Sequence, residues 1–296
     1  MNPSSMDIMH RSAEVDGLTI FYRERGLQDG PPVLLLHGFP TASHQYRRLM
    51  EALPTHFRLI APDYPGFGHS QAPESASNGG NFVYSFDRLA DIIESFCKQL
   101  GLQHFVIYAF DYGGPVAFRL AERRPDWIAG LILQNANAYE VGLSDMARQL
   151  VGLRPDRTGD TDIIRAILAP DEIKSQHLAG VSDAARISPD GWTLDSAFLE
   201  LPGRKQIQID LAFDYRSNVE RYDDWQQWLR DKQPPALVLW GRNDPFFLPA
   251  GAEAYRQDLP NAQVHLFDTG HFALEESLAD IAPLVGDFLG NVITNS

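Results

Sequence analysis

The sequence predicts an α/β fold: a mostly parallel eight-stranded sheet flanked by helices and interrupted by one helical insertion. Three observations predict it. Short apolar runs recur along the chain, most without polar alternation, as strands covered on both faces require. Helical patterns separate most of these runs, and strands alternating with helices imply a parallel sheet with right-handed crossovers. One interval of about a hundred residues breaks the rhythm and is too long to be a loop.

In chain order, Val15-Asp16-Gly17-Leu18 reads as a tight turn joining strands 11–15 and 18–23 into a hairpin. Apolar runs at 33–36, 57–61, 105–108, 131–133, 236–240 and 264–267 supply six more strands. Helical patterns occupy 45–53, 86–100, 115–123, 250–258 and 274–289. Residues 137–222 have weaker periodicity and turn signals such as Ser188-Pro189-Asp190-Gly191 and Leu201-Pro202-Gly203, and read as an inserted helical cap domain. A helix at 223–230, carrying Trp225 and Trp228, returns the chain to a core made of 1–136 and 223–296.

Apolar residues at 44% and charged residues at 22% exclude a disordered chain. The net charge of -14 repels phosphate backbones, so nucleic acid is not an expected partner. Nor is a membrane: no apolar run is long enough to span one. The segment 1–7 lacks a charged region followed by an apolar core, so no signal peptide and a cytoplasmic location are expected. Cys97, the single cysteine, lies on the stripe Leu89, Ile92, Ile93, Phe96, Cys97, Leu100 and reads as a buried thiol. No His or Cys cluster has metal-ligand spacing, so neither metal nor cofactor is expected. A homodimer is compatible with these features.

The chemistry concentrates after the strands. Ala109-Phe110-Asp111-Tyr112-Gly113-Gly114 has the small-x-nucleophile-x-small-small pattern of a nucleophile elbow, between a strand and a helix. Asp111 stands at its tip, so attack by a carboxylate replaces attack by an alkoxide, and the chemistry moves towards displacement at saturated carbon. His37-Gly38-Phe39-Pro40 follows the strand 33–36; the backbone N–H groups of Phe39 and Tyr112 would form an oxyanion hole. His37 reads as a loop support bonded to backbone. Asp244, in Gly241-Arg242-Asn243-Asp244-Pro245-Phe246, sits where a triad acid would sit. His271, in Gly270-His271-Phe272-Ala273, sits where the base would sit. Each of the three follows a predicted strand, at the sheet edge where open α/β sheets hold their sites. The Gly-rich segment from Asp63 to Ser70 reads as a structural turn beside the site.

These segments resemble the α/β-hydrolase superfamily, in particular its branch of epoxide hydrolases and haloalkane dehalogenases. The resemblance implies an Asp111 nucleophile that forms an alkyl-enzyme ester, with Asp244 and His271 completing the triad. Two positions depart from the pattern. Tyr112 replaces the Trp that usually follows the nucleophile, and Phe39 occupies the place of a halide-binding Asn, so the familiar halide pair is missing. Fluoroacetate dehalogenases are also similar, through Asp214-Tyr215-Arg216, but the positions of their carboxylate-binding arginines hold Tyr112 and Pro115. In epoxide hydrolases a segment like 214–220 carries a ring-opening tyrosine, which implies that role for Tyr215. Tyr139 is a second, weaker candidate.

An unperturbed Asp has a pKa of about 3.9, so Asp111 would be ionised at neutral pH and attack without a base. A departing alkoxide needs a proton and a departing halide does not, so a tyrosine donor ranks epoxide hydrolysis above dehalogenation. The expected substrate is a small, mainly apolar organic molecule. Phe198, Leu199, Trp192 and Phe213 are candidates for an apolar pocket, with packing the commoner fate of such residues. A non-hydrolytic biosynthetic enzyme or a ligand-binding protein of the same fold are the remaining alternatives.

Overall fold

A computed structural model describes residues 6–294, with side chains to 292. Most of the segment read for a leader, residues 1–5, and the last two residues lie outside the described part. Eight strands form one sheet: β1 (Met9–Val15), β2 (Leu18–Arg25), β3 (Pro32–Leu36), β4 (Arg58–Pro62), β5 (Phe105–Phe110), β6 (Ile128–Gln134), β7 (Ala236–Gly241) and β8 (Gln263–Phe267). Their spatial order is β1-β2-β4-β3-β5-β6-β7-β8. The β1/β2 and β2/β4 pairings are antiparallel, and all others are parallel.

The unbroken apolar runs have a direct cause. In β5, Phe105, Ile107 and Ala109 enter one core, and Val106, Tyr108 and Phe110 enter the other. In β3, Leu34 and Leu36 face the first core while Val33 and Leu35 face the second. A period of two with helices on both sides makes every position apolar. The helices that follow the core strands are α1 (Arg47–Ala52), α2 (Phe86–Gln99) and α3 (Gly113–Arg123). Between β6 and β7 lie α4 (Asp145–Val151), α5 (Asp160–Ile167), α6 (Pro170–Leu178), α7 (Pro189–Leu199), α8 (Arg204–Asp214), α9 (Arg216–Val219) and α10 (Tyr222–Lys232). The chain ends with α11 (Pro249–Asp258) and α12 (Ala273–Thr294). Residues of α1 and α12 cover one face of the sheet, and residues of α2, α3, α10 and α11 cover the other.

The return to the core is made through Trp225 of α10, fully buried and stacked on Phe118 of α3 with ring centroids 5.1 Å apart. The rest of the insertion has a small core of its own, in which Leu153, Ile164, Leu168 and Ile209 are buried. Polar ties join it to the sheet at many points, among them the following three. Asp214 accepts the N–H of Phe86, the first residue of α2, at 2.7 Å. Arg119 of α3 donates to Asn218 Oδ1 at 2.7 Å and to Ser217 Oγ at 3.0 Å. Asp195 of α7 is fully buried between His177 Nε2 at 2.8 Å and His44 Nε2 at 3.0 Å, and His44 follows β3.

Cys97 is buried and unbonded to another cysteine. Among the described residues no helix is long and apolar enough to cross a membrane. No group of three or more His, Cys, Asp or Glu among them could hold a metal ion.

Candidate active site

The site is built at the carboxyl ends of β3, β5, β6, β7 and β8. β5 runs to Phe110, two residues beyond the apolar run, and α3 begins at Gly113, so only Asp111 and Tyr112 make the turn. Asp111 takes a left-handed backbone, φ 49°, which strains a residue bearing a Cβ. The bend also presses α3 onto β3: a Cβ on Gly113 would stand 2.2 Å from the Leu36 carbonyl oxygen. Glycine is required there by contact.

Asp111 Oδ1 accepts the Phe39 N–H at 2.6 Å, and the Tyr112 N–H adjoins the carboxylate and acts to lower its pKa. The two donors read from the sequence therefore converge on one side chain. The second oxygen, Oδ2, faces His271 Nε2 at 3.7 Å, beyond direct hydrogen bonding. On its other side His271 Nδ1 meets Asp244 Oδ2 at 2.6 Å. Asp244 is held in turn by the N–H groups of Phe246 and Phe247 on Oδ1, at 2.7 and 3.1 Å, and by Asn135 Nδ2 on Oδ2 at 2.7 Å. With three donors on Asp244, its carboxylate is the acceptor for His271 Nδ1–H, which leaves Nε2 as the ring's basic nitrogen.

The electrostatics correct one expectation. Burial lifts the Asp111 pKa from 3.8 to about 6, against the pull of His271 and the two backbone donors. Asp111 is thus ionised at neutral pH with about one pH unit to spare. For His271, burial acts to lower the pKa, but Asp244 and then Asp111 outweigh it and the net shift is upward. His37 plays the supporting part read for it. Its Nδ1 bonds the Gly38 carbonyl at 3.0 Å, its Nε2 accepts the Tyr64 N–H at 3.2 Å, and burial pushes its pKa down to about 4. The segment 63–70 is equally structural: Asp63 accepts the N–H groups of Ser43 at 2.7 Å and His69 at 2.8 Å.

A cavity of about 170 Å³ opens over Asp111, floored by Phe39, Tyr112, Phe246, Phe247 and His271. Side chains of α4, α5, α6 and α8 wall it, among them Leu150, Ile164, Ile167 and Leu168. Tyr215, at the end of α8, lines it too. Tyr222 lies beside Tyr215 and, after burial, contributes to its raised pKa, and Asn137 Nδ2 donates to the Tyr222 hydroxyl at 3.2 Å. Burial raises the Tyr215 pKa well above 10, so the phenol keeps its proton at any ordinary pH.

Tyr139 is elsewhere. Its hydroxyl donates to Asp258 Oδ2 at 2.6 Å and its ring packs edge-on against Tyr255, outside the cavity lining. Its role is structural, so its candidacy as a ring-opening tyrosine is withdrawn. The four candidate pocket residues also pack rather than line. Phe198 sits edge-on to His69, Trp192 lies beside His177, Leu199 is buried, and Phe213 joins the insertion's own core. Asn135 and Tyr222 escaped the sequence reading. Asn135 had a usable signal, a polar residue directly after a buried strand. Tyr222 had none, because nothing in the local pattern says that it meets Tyr215.

A carboxylate on an elbow, a histidine facing it and an acid behind the histidine, on a sheet of this topology, define the class. The family model of the alpha/beta hydrolase fold matches residues 31–278, and the chain belongs to the α/β-hydrolase family. It is 41% identical over 278 residues to an uncharacterised hydrolase of Saccharomyces cerevisiae, spanning 92% of this chain and 94% of that protein. A haloalkane dehalogenase of Bradyrhizobium diazoefficiens is 40% identical over 126 residues, 43% of this chain and 38% of the relative. The haloalkane dehalogenase DbeA of Bradyrhizobium elkani shares the fold, with a TM-score of 0.80 over 98% of this chain and 100% of that one at 23% identity.

Proposed function

We propose that this hydrolase of the α/β family opens epoxides to diols through a covalent ester on Asp111, under a cap formed by the helical insertion. The observation that carries this reading is Tyr215. A half-buried phenol that keeps its proton lines the same cavity as the carboxylate, and an alkoxide leaving group needs such a donor where a halide does not.

In the first step Asp111 Oδ2 attacks an epoxide carbon. The ring C–O bond breaks and the ring oxygen takes the Tyr215 proton, leaving a hydroxyalkyl ester. The Tyr222 hydroxyl, beside Tyr215, donates to the phenolate that forms. In the second step His271 Nε2 takes a proton from water as it adds to the ester carbonyl. The oxyanion on Oδ1 is held by the N–H groups of Phe39 and Tyr112, in a type of contact whose loss costs about 3 kcal/mol. Collapse breaks the bond between the carbonyl carbon and Oδ2. The diol leaves with Oδ2 and takes the proton held by His271, the water oxygen stays in Asp111, and the second water proton passes from the Asp111 carboxyl to restore neutral Tyr215.

Dehalogenation is the second reading, favoured by the name of the Bradyrhizobium relative and served by the same Asp111. Against it, Phe39 and Tyr112 occupy the positions of the familiar halide pair. The test is product analysis with matched terminal epoxides and haloalkanes. The expected result is diol formation well above halide release, with Tyr215→Phe cutting epoxide turnover at least about a hundredfold and sparing any halide release. Halide release as the main activity, insensitive to Tyr215→Phe, would replace epoxide hydrolysis with dehalogenation.

A further inference from the structure

The wall that the helical insertion gives the cavity is apolar except at Tyr215 and three other polar side chains: Glu172 and Gln176 of α6 and Gln208 of α8. Glu172 and Gln176 lie one helical turn apart. Gln208, Ala212 and Tyr215 all line the cavity at i, i+4 and i+7, so one face of α8 presents all three. Seven residues at helical rise place Gln208 about 10 Å along the axis from Tyr215, hence away from the reacting carbon.

Gln208 is 2% exposed, and no group among the described residues pairs with its Oε1. Buried polar atoms are nearly always paired, so an unpaired one lining a cavity calls for an explanation. Gln176 is also buried; its Nε2 donates to the Ile167 carbonyl at 3.2 Å, so its other polar atom, Oε1, is an acceptor. Glu172, exposed at the cavity edge, is acceptor-only when ionised. No lysine or arginine lines the cavity. The polar end of the site therefore holds three acceptor groups and no cation, with the Gln208 amide nitrogen as a neutral donor beside them.

We propose that Gln208, with Gln176 and Glu172, forms a subsite that reads a hydroxyl or amino group at the end of the substrate remote from the reacting carbon. Bare hydrocarbon chains leave the Gln208 oxygen unpaired, and terminal carboxylates meet Glu172 and the acceptor oxygens. This rests on the reading that substrate occupies this cavity, and is independent of which group leaves.

The experiment compares 1,2-epoxides of six to eight carbons that end in methyl, hydroxyl or carboxylate. The expected kcat/KM for the hydroxyl series is about tenfold above the methyl series, the worth of one net hydrogen bond, with the carboxylate series below both. In Gln208→Leu the hydroxyl-to-methyl ratio falls to about one. A ratio within one variant is insensitive to partial loss of folded enzyme, and Gln208→Met gives the same reading should Leu fail to fold. Equal kcat/KM for hydroxyl and methyl substrates in the wild type, or an undiminished ratio in the variants, would overturn the subsite. A second arm measures binding of saturated diols against monoalcohols of equal length by calorimetry. Tighter binding of diols without epoxide turnover leaves the subsite standing and removes the epoxide reading; equal binding removes the subsite.

Discussion

Asp111, the proposed nucleophile, is held where its ionised form is costly to the fold. Its carboxylate is 7% exposed, on a left-handed backbone, with a pKa lifted from 3.8 to about 6 chiefly by burial. A group whose folded pKa exceeds its unfolded value adds stability that is complete below the unfolded pKa and lost as pH rises through the folded one. The ionised side chain thus weakens the fold at neutral pH. Asp111→Asn is expected to raise the stability measured by denaturant unfolding at pH 7 by about 3 kcal/mol, from a shift of about two units. That gain should shrink to nothing below about pH 4. The same shift sets the acid limb of activity. As pH falls below about 6 the nucleophile is protonated, so kcat/KM should drop about tenfold per pH unit. The second step adds an acid limb too, because the upward-shifted His271 must be neutral to take a proton from water. The sequence named Asp111, Asp244 and His271 because each follows an apolar run directly. It could not reveal the lifted pKa, which comes from the cavity walls and not from the neighbours in the chain.

At the scale of elements, the site depends on two loops meeting at close range. A Cβ on Gly38 would stand 2.4 Å from both Asp111 Cβ and Oδ1, so the loop after β3 can reach the elbow only as glycine. Gly38→Ala must displace either the Phe39 N–H or the nucleophile. The expected outcome is loss of at least about a hundredfold in kcat, the scale of losing one oxyanion donor, in a protein whose circular dichroism is unchanged. Activity within a few fold of wild type would mean that this close approach is not required. The core elements were legible because a strand buried on both faces has no alternative pattern, and β3, β5, β7 and β8 lie within two residues of their apolar runs. The insertion was legible only as helical. Its helices α6, α7 and α8 are short and bury side chains against several partners at once, so no single stripe marks the face of Gln208 and Tyr215.

Across the whole molecule the helical insertion joins the sheet through shared apolar packing and through polar ties, several of them buried. Asp195 is fully enclosed: burial acts to raise its pKa, and His177 and His44 more than offset this and hold it down at about 2. His177 also stacks face to face on Phe272, 3.9 Å between centroids, next to His271. The tie therefore joins the insertion to the loop that carries the base. Stability owed to Asp195 is present above its unfolded pKa and lost as pH falls towards about 2. Asp195→Ala is expected to cost about 3 kcal/mol, the scale of breaking a buried ionic contact from one side. Hydrogen exchange should rise first in α6 and α7, and an effect confined to α7 alone would deny the link to the site. Nothing in the sequence joins residues 44, 177 and 195, because the contact exists only once the insertion is docked.

Beneath all of this lies the proposed covalent ester, and oxygen tracing is its most direct test. Turnover of a terminal epoxide in water labelled with oxygen-18, followed by peptide mass spectrometry, reads the isotope at Asp111. Label is expected in the Asp111 carboxylate after repeated turnovers, and unlabelled oxygen in the diol of the first. Label that passes straight into the first diol and leaves Asp111 unlabelled would mean that water attacks the substrate directly, and the carboxylate would lose its place as nucleophile.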